Sequence, residues 1–142
     1  MAPERRNRTV SNTFHKEERL CSRRQIERLF AEGHSLRVYP FTIRWMEVES
    51  DVPCQVLIVA PKRMLHHAVA RNRAKRLIRE CYRTRKENLY LTLREKERAI
   101  VFCLVYTHRE VLPFDQMGKR MDKVIAALTE AINNQESNTD AE

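Results

Sequence analysis

The apolar positions of this chain fall into successive segments, each with its own period. After a polar, strongly charged stretch reaching residue 19, Ile26, Leu29 and Phe30 recur at helical spacing. Ser22 and Gln25 form a capping-box pattern ahead of them, and Gly33 ends the segment. Over residues 36–48, Phe41, Ile43 and Trp45 alternate with Thr42 and Arg44, the period of a strand. Residues 49–53 read as a turn, and residues 55–60 as a continuous apolar strand stopped by Pro61. From about His67 to about Leu89, Ala70, Ala74, Leu77, Ile78, Cys81 and Tyr82 make one stripe of a long helix. Residues 99–106 are the most apolar run and suit a central strand buried on both faces. A last helix starts near Pro113, Phe114 and Asp115. Its inward positions are Met117, Met121, Val124, Ile125, Leu128 and Ile132.

This order predicts an α+β fold, an α/β sandwich of one small sheet of about four strands with three helices. The expected single domain spans residues 13–134, between a mobile basic arm at 1–12 and a disordered acidic tail at 135–142. A chain of 142 residues is long enough to bury a real core. No stretch approaches 18 apolar residues, and the N-terminus lacks the apolar segment of a signal peptide. A cytoplasmic protein without a membrane partner is therefore expected.

Charge adds an address to this picture. The chain carries +8, and between Arg71 and Lys86 there are eight basic residues against one acid, Glu80. Asn72, Arg76, Arg79, Arg83 and Lys86 follow at steps of three and four on a face away from the apolar stripe. A solvated helix face ordinarily intersperses acids, whereas here like-charge repulsion goes uncompensated. A polyanionic partner would screen it. Arg71, Arg73, Lys75, Arg76, Arg79 and Arg83 are too many to read one base each, and Asn72 alone among them resembles a base-reading residue. The pattern favours the backbone of a folded RNA over DNA.

Candidate chemistry is sparse. A two-metal nuclease needs converging carboxylates, and the four aspartates are scattered, with Asp115 and Asp122 fitting a solvated helix face. There is no Gly-rich phosphate loop, nucleophile elbow or His-Glu-x-x-His pattern. Cys21, Cys54, Cys81 and Cys103 form no Cys-x-x-Cys pair and read as thiols of a reducing compartment. The adjacent His66 and His67 precede the basic helix, in a helix-entry or phosphate-facing position. No protein-borne catalytic residue and no metal site are expected.

The segment from Val69 through Arg71-Asn72-Arg73-Ala74-Lys75-Arg76 to Arg79 resembles the signature of the protein subunit of bacterial ribonuclease P. Residues 26–33, Phe41, residues 56–63 and the last strand and helix also follow that family's order, so the resemblance covers about 13–133. It implies binding to a large catalytic RNA that removes the 5′ leader of precursor tRNA, with the chemistry in the RNA and its Mg²⁺ ions. It further implies a left-handed βαβ crossover, against the common rule. Arg71, Asn72, Arg73, Lys75, Arg76 and Arg79 would touch the catalytic RNA. Ile26, Phe30 and Phe41 would line the groove for the single-stranded leader, with Lys62 and Arg63 near its phosphates. Two departures stand out. Ile26 replaces a common aromatic, and Met64-Leu65-His66-His67 replaces a shorter Gly-Asn turn. A general structured-RNA binder of ribosomal type is the alternative reading.

Overall fold

The computed structural model describes the backbone of residues 16–141 and the side chains of residues 16–134. The expected N-terminal arm at 1–12 lies outside the described residues. The chain enters through a 3₁₀ turn, Lys16–Glu18, and then forms α1, Arg23–Glu32. Four strands follow in one sheet: β1 His34–Val38, β2 Phe41–Val48, β3 Cys54–Val59 and β4 Ala99–Tyr106. Between β3 and β4 lie α2, Ala68–Arg85, and α3, Glu87–Lys96; α4, Phe114–Ala141, closes the chain. The spatial order is β1-β2-β4-β3, antiparallel except that β3 and β4 run parallel.

Local chemistry accounts for the element ends. Ser22 caps α1, its Oγ accepting from the Gln25 backbone N–H at 3.3 Å. Gly33 ends α1 for a reason of space, because its φ of −69° is open to any residue. A Cβ there would sit 2.4 Å from the Leu29 carbonyl oxygen. The single strand expected over 36–48 is instead a hairpin. β1 and β2 pair from His34 opposite Trp45 to Val38 opposite Phe41, leaving Tyr39 and Pro40 as the turn. Pro40 has no N–H to give to a ladder, so the strand breaks there.

The long basic helix also divides, so the described residues hold four α-helices where three were expected. Its break falls at Lys86, whose side chain is drawn into the interior and paired with Glu18. The helix restarts as the Tyr90 N–H bonds to the Lys86 carbonyl at 3.0 Å. Leu89, Tyr90 and Leu93 then form the buried face of α3.

β4 is the central strand, fully buried but for Val105. One face of the sheet presents Phe41, Ile43, Trp45, Phe102, Leu104 and Tyr106 to α2, α3 and α4. All the apolar positions read for the last helix, from Met117 to Ile132, are buried in that layer. Among the described residues the other face is covered by α1 and the segment just before it, with Leu20, Leu29, Met46, Val101 and Cys103 at its centre. The backbone of α4 continues helically to Ala141, through the segment expected as a disordered tail.

Candidate RNA interface

The orientation of α2 follows from its apolar stripe. Ala74, Ile78, Cys81 and Tyr82 are buried beneath it, so the residues between them are turned outward. Asn72, Arg73 and Arg76 are exposed, and Lys75 and Arg79 are half-buried on the same helix. The charges of Arg19 and Arg76 act on Arg79. Partial burial, and then repulsion from those two cations, lower its guanidinium pKa below the ordinary value.

Two other arginines of the row are already engaged. Arg71 donates to the Leu65 carbonyl at 3.0 Å and the His66 carbonyl at 2.7 Å. It therefore holds the turn that leads into α2. Arg83 forms a forked ion pair with Glu80, Nε to Oε1 at 3.4 Å and Nη2 to Oε2 more closely. That hydrogen bond holds the Glu80 carboxyl below its usual range and raises Arg83. Arg85 crosses to α4, its Nε 2.9 Å from Asp122 Oδ1, over Gly118 where a Cβ would meet the guanidinium at 2.5 Å. Lys86 must be removed from the outward row, since it is 1% exposed. Helical spacing placed it outward; the acid that turns it inward is 68 residues away in sequence.

The leader-groove residues divide between the two sides of the sheet. Ile26 is half-buried and Phe30 is 44% exposed on α1. Phe41 is a correction. It is 1% exposed on the opposite face, with its ring edge-on to Tyr106 at 5.8 Å. Its alternation with Ile43 and Trp45 puts it under the helices, so it cannot stack on a base beside α1. Trp45 is buried as expected. On the α1 side the strands instead offer Leu57, Val59 and Val105, all half-buried beside Ile26. Sequence reasoning missed them because residues 55–60 read as uniformly apolar; their period of two would have found them. Arg44 was missed as well. It donates to the Leu29 and Phe30 carbonyls and so caps the C-terminus of α1.

Lys62 and Arg63 are exposed on the turn after β3. That turn closes through the Met64 and Leu65 N–H groups on the Pro61 carbonyl, each at 3.1 Å. Leu65 is buried and anchors it, leaving His66 and His67 exposed. His67 is the N-cap of α2 through its backbone, with no side-chain capping bond. None of the four cysteines is in a disulfide; Cys54, Cys81 and Cys103 are buried and Cys21 is exposed. Among the described residues, no three His, Cys, Asp or Glu side chains converge as a metal site. Nor does any described helix have the length and apolarity to cross a membrane.

The sequence matches the ribonuclease P family over residues 14–129. The chain belongs to that family. It is 32% identical over 110 residues to the ribonuclease P protein component of Porphyromonas gingivalis strain ATCC 33277, covering 76% of this chain and 80% of that one. To the ribonuclease P protein component of Chlorobium phaeobacteroides it is 37% identical over 84 residues, 56% and 58% of the two chains. The fold agrees with the ribonuclease P protein of Staphylococcus aureus at a TM-score of 0.61, with 18% identity over 78% of this chain and 94% of that one. Membership of the ribonuclease P family makes this a component of a tRNA-processing ribonuclease with an RNA partner.

Proposed function

We propose that this protein docks on the catalytic RNA of ribonuclease P through α2 and holds the single-stranded 5′ leader of precursor tRNA beside α1. The observation that carries the reading is the outward row Asn72, Arg73, Lys75, Arg76 and Arg79, set by the buried stripe behind it. Guanidinium groups fixed on a rigid helix match phosphate oxygens in geometry and charge. The leader would lie on the half-covered side of the sheet, against Ile26, Phe30, Leu57, Val59 and Val105, with Lys62 and Arg63 toward its phosphates. Apolar side chains half open to solvent suit unpaired bases, which stack without sequence preference. Phosphodiester cleavage then belongs to the RNA and its Mg²⁺ ions, and the protein contributes binding.

Reconstitution tests this directly. The protein alone should cleave nothing, and adding it to ribonuclease P RNA should lower the Mg²⁺ concentration needed to process precursor tRNA. Equal cleavage with and without protein across Mg²⁺ concentrations would refute the reading. The alternative of a general RNA binder predicts that the complex holds precursor and mature tRNA equally. A preference for the precursor that is lost on changing Phe30 and Leu57 to Ala would decide for the leader groove.

A further inference from the structure

The turn of the β1–β2 hairpin carries an organised surface that the α2 row and the leader groove do not include. Tyr39 is 52% exposed, yet its side chain is held from two directions. Its hydroxyl lies 2.8 Å from His108 Nδ1, and the two rings meet edge-on at 5.5 Å. The Arg120 guanidinium of α4 sits over the Tyr39 ring, 5.1 Å from its centre. The backbone beneath is tied as well. The Thr107 N–H and hydroxyl both donate to the Pro40 carbonyl at 2.8 Å. The Tyr106 hydroxyl donates to the Glu110 carbonyl at 2.6 Å and accepts from the Leu112 N–H at 3.1 Å, fixing the chain between β4 and α4. An exposed side chain gives up rotamer freedom when it is held like this. Thr107 already closes the hairpin on β4, so the held ring is suited to contact with a partner.

Register places this surface. Phe41 pairs with Tyr106 and Val59 with Val105, so the hairpin turn and the ends of β3 and β4 share one end of the sheet. Arg120 belongs to α4, and Tyr106, edge-on to His108 at 6.4 Å, is buried under the helices. The Tyr39 ring therefore stands on the helical side, where Arg85 and Asp122 join α2 to α4, and not on the side of α1. The chemistry then selects a partner. An aromatic ring takes a cation on one face and stacks a second planar group on the other, as it does with unpaired bases of RNA. A guanidinium donates in its own plane, so it can rest on a ring and still bind a phosphate at its edge. Over residues 107–120, Arg109, Lys119 and Arg120 outnumber Glu110 and Asp115. A planar group that brings its own negative charge is a nucleotide.

Resting on the reading of this chain as docked on the catalytic RNA, we propose that Tyr39 and Arg120 bind an unpaired nucleotide of that RNA. The base stacks on the Tyr39 ring, its phosphate meets Arg120, and His108 positions Tyr39. The source is the catalytic RNA and not the leader, because the ring shares the helical side with α2.

The test measures binding of the full-length protein to ribonuclease P RNA over a range of salt, with chemical probing of the RNA bases in the complex. Tyr39→Ala should weaken binding about fivefold to thirtyfold, as loss of one stacked base does. The log–log salt slope should stay near the wild-type value, since stacking displaces no counterion. At least one unpaired base protected by the wild-type protein should become reactive, and Tyr39→Phe, which keeps the ring, should restore most of that protection. Arg120→Ala should also weaken binding, and should flatten the slope by about one. His108→Ala should cost less than Tyr39→Ala and add little on top of it. If Tyr39→Ala lowers the melting temperature, the half-buried Arg120 tests the same site through the slope and the same base. A Tyr39→Ala protein of normal melting temperature with unchanged affinity and unchanged base protection would overturn the inference and leave the functional reading intact. A loss confined to precursor tRNA, with ribonuclease P RNA held normally, would overturn it too, because the base would then belong to the leader. Wild-type protein that binds ribonuclease P RNA no better than a length-matched structured RNA would overturn both.

Discussion

The two faces of the sheet are closed to different degrees. On one, Ile100, Phe102, Leu104 and Tyr106 of β4 are fully buried beneath α2, α3 and α4. On the other, the ten residues of α1 cover only the middle, and Leu57, Val59 and Val105 stay half-buried. A short helix cannot seal a sheet of four strands. The difference teaches where stability and binding reside: the sealed face contributes most of the apolar burial that holds the fold, and the half-sealed one leaves room for a ligand. The basic helix belongs to the sealed side, so its arginines stand on the more fully buried layer of the molecule.

The largest effect should come from opening the sealed face. Phe102→Ala removes a fully buried ring that packs edge-on to Tyr82 at 5.9 Å. It should cost about 3–5 kcal/mol of folding stability, read from denaturant melts. A loss below about 1 kcal/mol would mean that the face is not the close-packed layer described.

Alkaline pH sharpens the comparison through one thiol on each face. Cys54 lies on the sealed side and Cys103 beneath α1. Burial pushes both up to about 12 from an ordinary 9.0. The folded state keeps protons that the unfolded chain releases near pH 9. The contribution to stability is therefore complete below about pH 9 and declines as pH rises toward 12. Melts between pH 7 and 11 should show this fall, and a flat profile would contradict it. In the native protein at pH 8, a thiol reagent should label exposed Cys21 first, then Cys103 as α1 opens, then Cys54. Equal rates for Cys54 and Cys103 would erase the difference between the faces.

A smaller change tests the open side. Leu57→Ala should cost only about 1 kcal/mol, because the side chain is already partly in water, yet it should weaken retention of precursor tRNA over mature tRNA. A stability loss matching that of Phe102→Ala would show that this side is sealed too.

Most of this architecture was legible in the sequence, and the misreadings have separate causes. The stripe of α2, the inward face of α4 and the central strand β4 all follow from local period, because each packs along its whole length. Phe41 was assigned to the groove by resemblance, although its alternation with Trp45 already pointed the other way. The hairpin at Pro40 was hidden because residues on both sides favour strands. The break at Lys86 depends on Glu18, far away in the chain, and no local pattern reports such a partner. The basic row of α2 was legible as a sum of charges. Which arginines are engaged within the protein was not, since Arg71 bonds to carbonyls of a turn and Arg83 to a neighbouring acid.

That last distinction carries the finest prediction. Changing Arg76 and Arg79 together to Ala should flatten the salt dependence of RNA binding by about one to two slope units. Arg83→Ala should change it by about half a unit or less, because its fork is occupied by Glu80 rather than offered to phosphate. The decisive variant is Glu80→Ala. It removes the one acid in this stretch of α2 and releases Arg83, so binding to ribonuclease P RNA should tighten by about twofold to threefold and the slope should steepen. Weaker binding by Glu80→Ala would instead mean that the acid organises Arg83 for the RNA. Arg83 would then rejoin the row formed by Asn72, Arg73, Lys75, Arg76 and Arg79.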